Sequence, residues 1–342
     1  LDMDYAFLLD PERKLLSIGY RVAEAAQDAN CYDLLASEAR LASFVAIAKG
    51  DVPARHWFRL GHAVTATNDG PTLISWSGSM FEYLMPALVM RSPVGSVLER
   101  SLQTVVRQQI AYGRTHGRPW GVSESAFNAR DLELTYQYSN FGLPGLALKR
   151  GLEEQAVVAP YATALAAMLD PAAAVANFAA LEAAGAAGAH GFYEALDYTP
   201  SRVSEGQSHA LVRAFMAHHQ GMTIVALANV VLGGRMRERF HAEPMVQAAE
   251  LLLHERMPRD VRPPSAALTE PPAILDLADA GPALGRRYDS AQTPRPAVHL
   301  MSNGRYSVML TAAGAGFSRW RDQAITRWRE DATTDGCGSF LY

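Results

Sequence analysis

"LDPAAAVANFAALEAAGAAG", residues 169–188, declares its secondary structure at both ends. Asp170 is an N-cap, Pro171 takes the first helical position where its missing N–H is no loss, and Gly185 offers a left-handed stop. Between them runs alanine, which lets neighbouring helices approach closely. "YDLLASEARLASFVAIAKG", residues 32–50, is a second helix by its spacing: Leu34, Leu35, Leu41, Phe44, Val45 and Ala48 fall at three- and four-residue steps, and Gly50 ends it. Further helical stretches run through about 95–113, 208–231 and 243–256. The loops between them carry aromatic, glycine and carboxylate residues. Long helices alternating with elaborate loops describe a mainly α protein, a helical toroid or bundle, better than a sheet.

The edges of the chain read differently. "DYAFLLDPERKLLSIGY" near the start gives two short strands around an Asp-Pro turn. From Pro258 to Pro296 the chain holds eight of its nineteen prolines in a polar, weakly charged stretch, the signature of a linker. Beyond it, "VHLMSNGRYSVML" alternates with period two around Asn303-Gly304, a strong hairpin signal. The organisation expected is a helical domain over 1–257, a proline-rich linker over 258–296 and the start of a β-rich domain over 297–342.

Composition narrows the function. With 49% apolar and 19% charged residues, the 342-residue chain can bury a large helical core. A formal net charge of -4 without a block of like charges is no footprint for nucleic acid or an anionic membrane surface. No apolar run reaches the roughly 18 residues of a membrane span, and the N-terminus lacks the pattern of a secretory leader. Cys31 and Cys337 lie far apart with no metal-ligand spacing, which fits a reducing compartment. The chain reads as a piece of a longer one, any membrane anchor lying elsewhere.

Four stretches concentrate chemistry. In "WSGSMFEYLMP", residues 76–86, Trp76, Phe81 and Tyr83 surround Glu82, a pairing that suits a sugar with its C–H face and hydroxyls. In "GRPWGVSESAFNARD", residues 117–131, Glu124 stands alone between two serines, four residues after Trp120, with Tyr136 and Tyr138 close behind. A carboxyl in a partly dry pocket keeps its proton, as a general acid near neutral pH requires. "HGFYEALDYTPSRVSEGQ", residues 190–207, sets Glu194 and Asp197 three apart, on one side of a helical turn, with Glu205 in a more open loop. In "RAFMAHHQGMTIVALANV", residues 213–230, His218, His219 and Gln220 interrupt an apolar helix. Adjacent histidines diverge by about 100° and rarely share a metal, so hydrogen bonding to a polar ligand or a buried carboxylate is the favoured use. No metal or cofactor site is expected, and neither a nucleophile elbow nor a phosphate loop is present. Carboxylates among aromatics on loops between helices are what glycosidic-bond chemistry requires.

"YDLLASEARLASFVAIAKGDVPARHWFRLG", "SGSMFEYLMP", "WGVSESAFNARD", "LTYQYSNFGLPGLALKRGL", "GFYEALDYTPSR" and "MAHHQGM" resemble the glucoamylase-like cyclisation region of cyclic β-1,2-glucan synthases. The tail from Val298 resembles the opening of the glycoside phosphorylase-type domain that follows it in those proteins, Cys337 standing where an aromatic is expected. The resemblance implies an (α/α)6 toroid, some of whose twelve helices would lie upstream of Leu1, followed by the start of a β-sandwich-type domain. It implies retaining transglycosylation that closes linear β-1,2-glucan into a ring. The alternatives are an endo-β-1,2-glucanase-like hydrolase and a glycan-holding module without chemistry. Glu124 would be the general acid/base and Glu194 the nucleophile, with Glu205 as substitute. Trp76, Glu82, Tyr136, Tyr138, His218 and Gln220 would line substrate subsites. The implied partners are β-1,2-glucan oligosaccharide or polysaccharide and the other domains of the same synthase. The full-length protein would sit in the bacterial inner membrane through parts absent from this chain, with this region soluble and cytoplasmic.

Overall fold

The computed structural model describes residues 3–131, 133–258 and 298–326. All but Pro258 of the expected linker, and Cys337, lie outside the described residues. Two compact units divide the chain, Leu1–Thr269 and Glu270–Tyr342.

The first unit is built on eight α-helices among its described residues: α1 (Arg40–Lys49), α2 (Met80–Leu84), α3 (Val97–Thr115), α4 (Pro160–Ala166), α5 (Pro171–Ala183), α6 (Ala217–Val231), α7 (Arg235–His241) and α8 (Pro244–Ala249). The alanine-rich stretch behaves as its ends dictate. Asp170 accepts the Ala173 N–H at 2.9 Å, α5 closes after Ala183, and Gly185 takes a φ of 80°. α4 lies at the centre, with all seven of its residues buried, and packs against α5 and α6. Small side chains on α4 and α5 let the helices approach closely.

Between the helices run short strands that periodicity alone did not reveal. Ser125–Arg130 pairs with Tyr136–Ser139, and Ala195–Asp197 lies between Ala210–Val212 and Val157–Val158 in a three-stranded sheet. The helix expected over 208–231 therefore begins only at Ala217, because residues 210–212 are taken up by antiparallel pairing with 195–197. Likewise Glu194 precedes a strand, not a helical turn, so Glu194 and Asp197 do not share a face. Near the start, Leu9 and Leu16 bridge across the Asp-Pro turn, but Leu16–Ser17 then pairs with Cys31–Tyr32.

Two glycines permit the close approach that frames the site. A Cβ on Gly142 would sit 1.9 Å from the Ser77 carbonyl oxygen, and one on Gly78, whose φ is 72°, would sit 2.5 Å from that of Leu143. The two backbones can touch only because both residues lack a side chain.

The second unit shows a four-stranded antiparallel sheet, in the order Val298–Ser302, Tyr306–Thr311, Gly316–Trp320, Gln323–Ala324. Ser302 pairs with Ser307 across the Asn303-Gly304 turn, as its dipeptide demands.

Candidate active site

The segment that carries Glu124 is held by three helices. Asn177 of α5 accepts the Trp120 N–H at 3.1 Å and donates to its carbonyl at 2.9 Å. Gln109 of α3 treats Val122 the same way, with both contacts at 2.9 Å. Each amide thus satisfies a buried peptide's donor and acceptor together. Tyr161 of α4 donates to the Glu124 carbonyl at 2.8 Å, and Ser123 lies 2.8 Å from the same phenol oxygen. The backbone is fixed on both sides of the carboxylate.

The Glu124 side chain is half-buried, and the Tyr138 hydroxyl donates to its Oε1 at 2.8 Å. Burial pushes its carboxyl up to about 7, against the Tyr138 hydrogen bond, and the charges of Glu38 and Glu82 push the same way. Burial also raises the Glu38 carboxyl, with Glu82 adding to the effect and Ser37 opposing it. Burial thus holds both the Glu38 and the Glu124 carboxyl above the ordinary range, and the charge of Glu38 adds to the effect on Glu124. Sequence reasoning missed Glu38, which sits in the turn before α1 and follows an apolar run that read as continuous helix. Its signal was a carboxylate next to Ser37 immediately ahead of the helix.

The other expected residues separate into two groups. Tyr138 touches Glu124 directly, and Glu194 connects to it through His219 and Tyr138: the Tyr138 hydroxyl lies 3.2 Å from His219 Nε2, and His219 Nδ1 lies 2.8 Å from Glu194 Oε1. Glu194 is only 2% exposed, and its Oε1 also accepts the Ala126 N–H at 3.2 Å. The His219 ring stacks on Tyr161 with centroids 3.7 Å apart. His218 is exposed on the same helical turn, 6.1 Å from the Tyr138 ring, and Gln220 lines a cavity of about 150 Å³ with Phe178, Phe192 and Glu194.

Among the described residues, Glu82, Glu205, Tyr136 and Trp76 share no hydrogen bond with Glu124, Tyr138, His219 or Glu194. Glu82 is 5% exposed and accepts hydrogen bonds from Ser75, Ser77 and Ser79, closing a capping box at the start of α2. Its acceptor capacity is spent on that loop. Glu205 is exposed in the turn after Arg202. Tyr136 accepts from Arg130 at 2.6 Å, and Trp76, 54% exposed, offers an open aromatic face. Asp197, beside Glu194 in sequence, is buried against Arg202 at 2.6 Å and serves the fold. Among the described residues no group of three or more His, Cys, Asp or Glu could hold a metal ion.

The glucoamylase family model matches residues 30–244, which include every group named in this site. The chain belongs to the glucoamylase-like family. Residues 282–342 match the supersandwich domain of glycosyl hydrolase family 94. The chain is 54% identical over 99% of its length to the cyclic β-(1,2)-glucan synthase NdvB of Rhizobium meliloti, and it spans 12% of that relative. Among solved structures, an endo-β-1,2-glucanase from Chitinophaga pinensis, determined with sophorotriose and glucose, overlays with a TM-score of 0.57 at 14% identity, covering 73% of this chain and 61% of that one. A glucoamylase-like protein of Bacteroides caccae overlays with a TM-score of 0.55 at 19% identity, covering 73% of this chain and 62% of that one. The likeness to the two solved structures is one of fold. Family and fold together make the chain a glycoside hydrolase-like carbohydrate-active region. None of the described helices is long and apolar enough to cross a membrane.

Proposed function

We propose that this glucoamylase-like region acts on β-1,2-glucan and closes linear chains into rings by retaining transglycosylation, with Glu124 as general acid/base and Glu38 as nucleophile. The observation that carries the reading is the Glu124 carboxyl, which is pushed up to about 7 by burial, the charge of Glu38 pushing the same way. Such a group is protonated often enough to donate and ionised often enough to accept. Glu38 is preferred to Glu194 because the Glu194 carboxylate is closed off behind His219, and to Glu205 because that residue lies apart in an exposed turn.

In the first step Glu124 would donate its proton to the glycosidic oxygen as that bond breaks. The Glu38 carboxylate would attack the anomeric carbon from the opposite face to form a glycosyl–enzyme. In the second step the ionised Glu124 would take the proton of a 2-hydroxyl at the far end of the same chain, whose oxygen displaces Glu38 and closes the ring. Retention asks for carboxyl groups roughly 5–5.5 Å apart. Trp76, Tyr136, Tyr138, His218 and Gln220 supply aromatic and polar surface for the sugar rings, while Glu82 holds the loop beneath them.

The same proposal takes residues 1–257 as part of an (α/α)6 toroid, 258–296 as the junction and 297–342 as the opening of the supersandwich-type domain. A membrane-anchored full-length synthase, whose other domains make and hold the glucan, completes it. The test is incubation with linear β-1,2-glucan and mass spectrometry of the products. Rings lighter than the linear chain by one water, lost in both Glu124→Gln and Glu38→Gln, support the assignment. The fold shared with the Chitinophaga endo-β-1,2-glucanase favours a second reading, hydrolysis, which would leave shorter linear products. Glucan binding with no turnover would favour a holding module.

A further inference from the structure

We propose that Tyr138, His219 and Glu194 form a proton relay in series with Glu124, and that Glu194 acts on the glucan only through it, as a positioning residue. The inference rests on Glu124 being the general acid/base.

Four groups from four parts of the chain lie in one line: Glu124 Oε1 to the Tyr138 hydroxyl at 2.8 Å, that hydroxyl to His219 Nε2 at 3.2 Å, and His219 Nδ1 to Glu194 Oε1 at 2.8 Å. The same heavy atoms admit two proton arrangements. In one, Glu124 is ionised and accepts from Tyr138, whose oxygen accepts from His219 Nε2–H; His219 then carries both ring protons and pairs with the Glu194 carboxylate. In the other, Glu124 keeps its proton and donates it to the Tyr138 oxygen, Tyr138 donates to an unprotonated Nε2, and His219 is neutral. Both hold the same number of protons and the same total charge. One becomes the other when the Glu124 proton passes to the Tyr138 oxygen as the Tyr138 proton passes to His219 Nε2. No electrons change hands and no co-reactant is needed.

Three features suit this exchange. Burial and the charge of Glu124 hold the Tyr138 phenol far above its ordinary range, so it passes protons on without resting as a phenolate. The His219 ring cannot turn away, because Tyr161 stacks flat on it at an interplanar angle of 14°, and Tyr161 is itself tied to the Glu124 carbonyl. Glu194 is buried with both its named hydrogen bonds on Oε1, while Oε2 makes none among the described residues. A buried carboxylate so thinly supported is stabilised by a positive imidazolium opposite it. Proton exchange between relay and substrate runs through Glu124, which passes its proton to the substrate on one side and to Tyr138 on the other.

The test is a ¹³C titration of the Glu124 carboxyl in the full chain, assigned by its disappearance in Glu124→Gln. The groups facing it are Glu38 and Glu82, Tyr138, the phenol of Tyr161, and His219 with Glu194 behind it. The two possible origins of coupling have opposite signs. Simple repulsion between carboxylates predicts that Glu194→Gln lowers the Glu124 midpoint; the relay predicts a rise of about one pH unit, because the imidazolium loses its counter-charge. The rise should vanish in a Tyr138→Phe background, where the line is cut. A fall or no change in Glu194→Gln overturns the inference. Kinetics on linear β-1,2-glucan give a second reading should Glu194→Gln not fold. Tyr138→Phe should lower kcat tenfold or more with KM within about twofold, and wild-type turnover in that variant overturns the relay. Full turnover in Glu124→Gln would instead overturn the assignment of Glu124.

Discussion

Replacing Glu124 by glutamine should make the protein more stable in alkaline solution. A carboxyl raised from an ordinary 4.5 to about 7 binds its proton more tightly in the folded chain than in the unfolded one. Its favourable contribution is complete below about pH 4.5 and is lost as pH rises through about 7. A displacement of roughly 2.5 pH units at about 1.4 kcal/mol each gives roughly 3.5 kcal/mol, which solvent reaching this half-buried side chain trims to about 2–3 kcal/mol. Glutamine keeps an acceptor for the Tyr138 hydroxyl and carries no charge. The variant should therefore match the wild type near pH 4 and exceed it by about 2–3 kcal/mol at pH 8, roughly 4–10 °C in melting temperature for a unit of this size. Denaturant melts of both proteins, followed by tryptophan fluorescence at the two pH values, measure the difference. An equal gap at both pH values, or a less stable variant at pH 8, would refute the reasoning. At alkaline pH the raised Glu124 carboxyl is a cost to the stability of the fold.

Turnover of linear β-1,2-glucan should decline as pH rises through about 7, because the first step needs protonated Glu124; initial rates that stay flat from pH 6 to 8 would contradict this. Gly142→Ala should destabilise the first unit by about 3 kcal/mol or more, since its Cβ would meet the Ser77 carbonyl at 1.9 Å; circular-dichroism melts test it. Asp197→Asn should cost about 3–5 kcal/mol by leaving the largely buried Arg202 without its counter-charge, and a melting temperature within 2 °C of wild type would show that the pair is dispensable.

What could be read from the sequence followed the range of the interactions involved. α5 was legible because its signals are local: Asp170, Pro171 and Gly185 act within a turn of the chain. The hairpin at Asn303-Gly304 was legible for the same reason. The strand at 210–212 was not, because its pairing with 195–197 is tertiary and its residues also suit a helix. At the site, the isolated position of Glu124 between serines marked it, and the adjacent histidines pointed to a polar ligand or a buried carboxylate. That His219 would meet Glu194, and that Tyr138 would bridge them to Glu124, depends on residues as much as 81 positions apart. Glu82 illustrates the converse. Aromatic neighbours suggested a sugar contact, whereas three alternating serines reveal a loop closed on its own carboxylate.

The amide clamps of Gln109 and Asn177 reach 13 and 57 residues along the chain, and Tyr161 reaches Glu124 across 37. Besides the isolated bridge of Val122 to Val158, the peptide groups of the Trp120–Glu124 stretch pair with side chains of α3, α4 and α5. Because these contacts close loops of 13 to 57 residues, Glu124 should reach its folded geometry late. A half-assembled chain would hold Glu124 in water as an ordinary carboxylate, unable to donate a proton near neutral pH. On the proposed function the arrangement works as a safety catch: Glu124 could donate a proton near neutral pH only once α3, α4 and α5 have closed around it.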